Sequence, residues 1–178
     1  MRGPLLSGPL GSQPALEALL RWTDRHAPVV VLGPPWLGAA LSRGGVALLL
    51  VESEARPQAV RVRRRARKEN RPLDVALASA ELPFRRGSLS ALVIENAAGL
   101  AAPETQRWIG ALAPSLRPGG RLIAADATSS DAAAARVAGA FLSAALQDIV
   151  QEWPREGAVL TVGVAPPAPV FAARYDLS

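Results

Sequence analysis

Cysteine is absent from the 178 residues, which excludes disulfides, thiolate nucleophiles and cysteine-ligated metal sites. Histidine occurs once, at His26, just ahead of the first apolar run. A lone imidazole with no clustered acids argues against a zinc centre and against a Ser-His-Asp triad, so no metal site is expected and His26 reads as a solvated residue. No apolar stretch approaches the ~18 residues of a membrane span; the longest, Val46 to Val51, is only strand-sized. The opening MRGPLLSGPLGSQPALEALL is interrupted by prolines and glycines where a signal peptide needs an unbroken apolar core. These absences together point to a cytoplasmic protein with no membrane span.

What is present suits a globular domain. Hydrophobic residues make up 49% and charged residues 20% of the chain, enough for a substantial core. Residues 1–13, rich in Gly, Pro and Ser, are expected to be a flexible tail unless docked, and residues 14–178 a single domain. The net charge is +5, carried mostly by arginine. That sign favours acidic partners, and it is also ordinary for solubility.

Strand-like and helix-like segments alternate along the chain. PALEALLRWTDR, from Pro14 to about Arg25, has helical spacing with Leu16, Leu19 and Leu20 on one side. Val29 to Leu32 and Val46 to Val51 are continuous apolar runs, as expected for strands buried on both faces of a parallel sheet. Between them Trp36 to Ser42 opens a helix that Gly44-Gly45 stops. Ala55 to about Asn70 reads as a long helix, Leu73 to Leu77 and Leu89 to Ile94 as strands, and Pro103 to Leu116 as a helix closed by Pro118-Gly119-Gly120. Arg121 to Ala125 is a fifth strand, and Asp131 to about Asp148 a helix with Val137, Phe141, Leu142 and Leu146 inward. Ile149 to Trp153 is either a short strand or the fraying end of that helix. Ala158 to Val164 and Val170 to Tyr175 are strand-like and suited to pairing antiparallel at one edge. The order predicts an α/β fold: a doubly wound, mostly parallel Rossmann-like sheet with an antiparallel C-terminal hairpin.

Two segments carry a family resemblance, AELPFRRGSLSALVI at Ala80 to Ile94 and LRPGGRLIAAD at Leu116 to Asp126, within a run that starts with VVVLGPPWLG at Val29 to Gly38. From Val29 to Asp126 the chain resembles class I S-adenosylmethionine-dependent methyltransferases of the small-molecule type. In that family an acid at the end of the first strand and a glycine-rich turn after it receive the amino-acid end of the cofactor. The resemblance places Val31 at the acid and Gly33 at the first glycine. Pro35 falls at the second glycine and Leu37 at the third, unless a shifted loop brings Gly38 into use. Each proline deletes a backbone N–H and fixes φ near −65°, so the turn departs from the family pattern. Trp36 can either fill the vacated volume or simply anchor the core.

Glu52 stands 19 residues after Gly33, close to the ~20 at which an acid accepts the cofactor's ribose hydroxyls. It is equally readable as a solvated acid near the arginines that follow. The family's third acid, which contacts adenine, falls at Ala78, with Glu81 out of register. Glu95 and Asn96 are the polar groups at the mouth of the fourth strand, fit for acid-base or orienting work, or for capping the next segment. The cofactor-binding candidates are therefore Gly33 and Glu52, with no catalytic residue assigned.

RVRRRARKENR, Arg61 to Arg71, concentrates the surplus charge. On a helix Arg61, Arg64, Arg65 and Lys68 share one broad face, opposite a narrow seam of Ala59, Val62 and Ala66. The face is either solvated or a grip for nucleic acid, an acidic protein or an anionic surface; no aromatics interleave with it for base stacking. The favoured reading is a methyltransferase-like domain that has lost S-adenosylmethionine and acts as a non-catalytic scaffold, its partner another protein and an acidic one a natural complement. The alternatives are an active S-adenosylmethionine-dependent methyltransferase with a divergent loop, and a nucleic-acid-binding module built on the arginine helix.

Overall fold

The computed structural model describes residues 9–24, 26–51, 53–77 and 84–167. Its centre is β1 (Val29–Leu32), whose three valines are at most 4% exposed. β1 pairs in parallel with β2 (Ala47–Val51) on one edge and β4 (Leu89–Glu95) on the other. β3 (Leu73–Leu77) extends the sheet beyond β2, and β5 (Leu116–Asp126) beyond β4, both parallel to their neighbours. β7 (Ala158–Val164) adds antiparallel to β5 and β6 (Gln147–Arg155) antiparallel to β7. Among the described residues the order is β3-β2-β1-β4-β5-β7-β6, so the winding direction reverses between β1 and β4.

Alternation along the strands feeds two cores. Val29, Val31, Leu49, Val93 and Ile123 pack with α1 (Gln13–Trp22), α2 (Pro35–Leu41) and α3 (Arg56–Lys68). Val30, Leu50, Leu92, Ile94 and Leu122 pack with α4 (Ala102–Leu112) and α5 (Asp131–Ser143) on the other face. A sheet apolar on both faces needs both layers, which explains the near-continuous apolar runs. Leu10, in the 3-10 turn Pro9–Gly11, is also buried in the first core.

The C-terminal hairpin exists, but its strands differ from those expected. Gln147–Arg155 pairs with Ala158–Val164, while the segment 170–175 lies outside the described residues. α5 was expected to run to about Asp148 and stops at Ser143. Ala145 takes φ 59°, the Leu146 N–H bonds to the Phe141 carbonyl and the Ala145 N–H to that of Leu142. This is a Schellman ending with alanine where glycine is usual, so no glycine marked it. Leu142, expected inward, is 66% exposed. α4 likewise ends at Leu112, before a 3-10 turn, and Leu116 opens β5.

The PGG of the fifth strand has a steric cause. β5 bulges against β4 between Leu89 and Ala91, with Gly119 at φ 73°. A Cβ on Gly120 would stand 2.7 Å from the Leu89 carbonyl oxygen and 2.8 Å from that of Arg117, whereas one on Gly119 would meet nothing within 4 Å. Gly119→Ala should cost about 1–2 kcal/mol, the left-handed penalty alone. Gly120→Ala, which must displace backbone, should cost more than the ~1–3 kcal/mol of ordinary overpacking. Urea titration of both variants reads the order, and equal losses would contradict the assignment.

Candidate functional site

In open α/β sheets ligands bind beyond the strand C-termini where the winding reverses. Here that crevice lies between the ends of β1 and β4. β1 ends in Val31, fully buried, and Leu32, packed against the second core, so it brings no carboxylate. The turn that follows is Gly33-Pro34. Pro34 serves as the N-cap residue of α2 and Pro35 opens the helix.

Proline at a first helical position is comfortable, since its missing N–H would have no partner within the helix. Two in succession leave the turn short of donors. The Leu37 N–H is bonded to the Pro34 carbonyl at 3.0 Å, so Gly33 and Trp36 are the amide-bearing residues before it. The two glycines are used for packing. A Cβ on Gly33 would lie 3.1 Å from the Glu95 Cβ, and one on Gly38 would lie 3.1 Å from Leu49 of β2. In glycine-rich nucleotide turns the middle glycine admits the ligand and the last permits close helix–strand packing. Gly38 has that packing contact, and Pro35, which the resemblance sets at the middle glycine, is buried. Trp36 is half-buried against the first core. Gly33 and Gly38 are thus brought together with Glu95 and β2, while Glu52 and the 78–83 segment, including Ala78 and Glu81, lie outside the described residues.

Across the crevice Glu95 and Asn96 both line an open cleft of about 660 Å³, with Glu104, Arg107 and Trp108 of α4. Asn96 does not cap by its side chain. It takes φ 65° and ψ 31° ahead of the 3-10 turn Ala97–Gly99, with its side chain folded over Gly99, where a Cβ would come within 2.3 Å of Oδ1. Capping falls to Asp126, at the end of β5, whose Oδ1 accepts the Ala98 N–H at 2.8 Å. Arg136 of α5 donates to the Ala98 carbonyl at 3.2 Å, tying the turn to the second helical layer. Arg61, Arg64, Arg65 and Lys68 sit on α3 and do not line this cleft.

Asp126 was missed as a site residue, although LIAAD closes on it; a strand-final acid after a wholly apolar run was the available signal. It is 1% exposed, and its Oδ2 is buried with no hydrogen-bond partner. Burial pushes its carboxyl up to about 6, despite the opposing N–H groups of Ala98 and Ala97, and the neighbouring Glu95 charge adds to the rise. Burial also raises the Glu95 carboxyl. The mouth of the sheet therefore holds two carboxyls that resist ionising together, one facing the cleft and one locked beneath the turn.

No protein-family model matches the sequence, and no curated protein does. Solved structures match the fold. An O-methyltransferase family protein from Burkholderia thailandensis superposes with a TM-score of 0.72 at 16% identity, over 88% of this chain and 57% of that one. PigF with SAH gives 0.64 at 14%, over 84% of this chain and 54% of PigF. The putative methyltransferase complexed with the Haloferax volcanii Trm112 methyltransferase activator gives 0.65 at 21%, over 87% and 89%. The chain thus spans little more than half of the first two. It has the class I methyltransferase fold.

A carboxyl whose native value is raised binds its proton more tightly folded than unfolded. Stability should therefore fall as pH rises from about 4 to about 6 and level off above. The contribution of Asp126 across that window is roughly 3 kcal/mol. Urea midpoints between pH 4 and 7 should show this slope in the native chain and lose most of it in Asp126→Asn.

Proposed function

We propose that this chain is a methyltransferase-fold domain that does not hold S-adenosylmethionine and serves as a non-catalytic scaffold, its contacts made with another protein. The observation that carries the reading is the β1–α2 turn. The amino-acid end of the cofactor carries an ammonium and a carboxylate, which call for an acid and for free amides. The turn supplies Val31 and Leu32 in place of the acid, and Pro34 and Pro35 in place of two amides. Those residues do not fit that end of the cofactor.

A hydrogen bond to a charged group contributes about 1.5–3 kcal/mol. Losing two weakens binding on the order of a thousandfold, which takes a micromolar ligand out of its working range. The packing uses of Gly33 and Gly38 support the same reading, since the positions that build the fold are kept and the one that meets the ligand is replaced. A protein partner accords with the neighbouring methyltransferase found in complex with the Trm112 activator.

One feature favours the active alternative. Glu95 stands against Gly33 through its Cβ and is half-buried while lining the cleft beside α4; turned toward the β1–α2 turn, its carboxylate would substitute for the missing acid. The neighbours include S-adenosylmethionine-dependent enzymes, one of them with SAH, so that cofactor is the one to test. The readings part cleanly in calorimetric titration. The scaffold gives no saturable heat with S-adenosylmethionine or S-adenosylhomocysteine at millimolar ligand, and Glu95→Gln changes nothing. Micromolar binding that Glu95→Gln weakens roughly tenfold or more would overturn it in favour of the enzyme.

A further inference from the structure

Seven of the thirteen residues of α3 are cationic and none is acidic. Their placement is set by how the helix docks. Ala59 and Ala66 are fully buried, seven residues apart on one line, with the half-buried Val62 and Arg63 beside them. At ~100° per residue the direction opposite that seam is occupied by Arg61, Arg64 and Lys68, with Arg65 adjoining, and all four are exposed. The seam of small residues holds the helix close to the sheet and leaves its outer half projecting.

The described acids nearby do not neutralise this face. Asp74 accepts from Arg63 at 3.1 Å, near the seam. Glu69 accepts from Arg65 at 2.9 Å and is shared with Arg71. Among the described residues Arg61, Arg64 and Lys68 have no ion pair, and Glu54, ahead of the helix, is turned to solvent.

We propose that the outer face of α3 docks on the phosphate backbone of double-stranded DNA without reading its sequence. Three features choose this occupant. First, the face has almost no apolar content, Val60 at 37% exposure being its one large hydrophobic. A protein interface calls for a desolvated aromatic or aliphatic anchor, and membrane insertion for an apolar face; neither is present. Second, no aromatic interleaves with the cations, which removes the stacking platform that single strands require. Third, six of the seven cations are arginine, whose planar fork suits phosphate oxygens.

Geometry separates DNA from RNA. A helix about 10–12 Å across fits at the mouth of the ~12 Å major groove of B-DNA, with its cations on the phosphates that rim it, whereas the narrow major groove of A-form RNA leaves no such seat. Arg61 and Lys68 lie ~10 Å apart along the axis at 1.5 Å per residue, a span over which successive phosphates can be met. The contact needs nothing from the crevice and stands or falls apart from the cofactor reading.

Fluorescence anisotropy with a labelled mixed-sequence duplex tests it on the full chain. The native protein should bind at 50 mM salt and release as salt rises, the logarithm of the binding constant falling with a slope of about −3 for three phosphates. The triple variant Arg61→Gln, Arg64→Gln, Lys68→Gln should lose most of that slope and roughly tenfold or more in affinity. A matched triple, Arg85→Gln, Arg86→Gln, Arg117→Gln, removes the same charge from exposed sites at the starts of β4 and β5 and should keep most of both. Urea midpoints unchanged in both variants show that folding is not the cause. No binding at 50 mM salt, equal losses in the two triples, or tighter binding of duplex RNA or polyglutamate than of DNA would each overturn the proposal.

Discussion

β1 is paired on both edges and covered on both faces, with Val29, Val30 and Val31 nearly or wholly withdrawn from solvent. No polar side chain fits along it, so whatever chemistry the domain has must begin where the strand ends. The crossover to β2 is short. α2 has seven residues, and to lie on the sheet it must bring Gly38 against Leu49. That leaves Gly33 and Pro34 to turn the chain. A proline whose native backbone suits it stabilises by restricting the unfolded chain, by about 0.4–1 kcal/mol each. The same residues withdraw the amides a ligand would use. The turn is thus tuned for rigidity at the position where a binding loop is usually adaptable.

At the opposite lip of the crevice the balance runs the other way. Asp126 holds the Ala97–Gly99 turn by accepting the Ala98 N–H, yet the carboxyl is buried with one oxygen unpaired. An unmet buried acceptor costs about 1–3 kcal/mol, and protonation relieves the charge without surrendering the other oxygen's bond. Glu95 one strand away adds repulsion. The left-handed Asn96 between them shows the price of the geometry, because asparagine is among the few residues that tolerate it. One lip is rigid and apolar; the other is polar and electrostatically tense.

The sequence was readable where burial dictates residue type. The apolar segments VVVL, ALLLV, ALVI and LIAA located β1, β2, β4 and β5, and their alternation with helices implied the doubly wound sheet. Helix ends were less legible, because Ala145 takes the left-handed position that glycine would have announced, hiding the start of β6. The anomaly of Pro34 and Pro35 was plain from sequence, but not the separate jobs of Gly33 and Gly38, which depend on contacts with β4 and β2 far along the chain. Asp126 was hidden for the same reason. Its partner is an amide 28 residues earlier, and no local pattern encodes that meeting.

α3 shows how a chain keeps a crowded charge folded without a partner. Arg65, Arg67 and Lys68 occupy its last turn, where the negative end of the helix dipole favours cations by about 0.3–1 kcal/mol each. Its end is closed by Asn70 at φ 51°, with the Arg71 N–H on the Ala66 carbonyl and the Asn70 N–H on that of Arg67, a second Schellman ending. Arg61 and Arg64 lie further from that end, three residues apart, where the dipole helps little and like charges repel by a few tenths of a kcal/mol. Glu69 and Asp74 neutralise arginines lower on the helix and at its seam. Ion pairs therefore compensate Arg63 on the buried side and Arg65 near the C-terminal turn, while the dipole eases Lys68 without pairing it. The charge they leave uncompensated is at the outer pole, where a polyanion would meet it first.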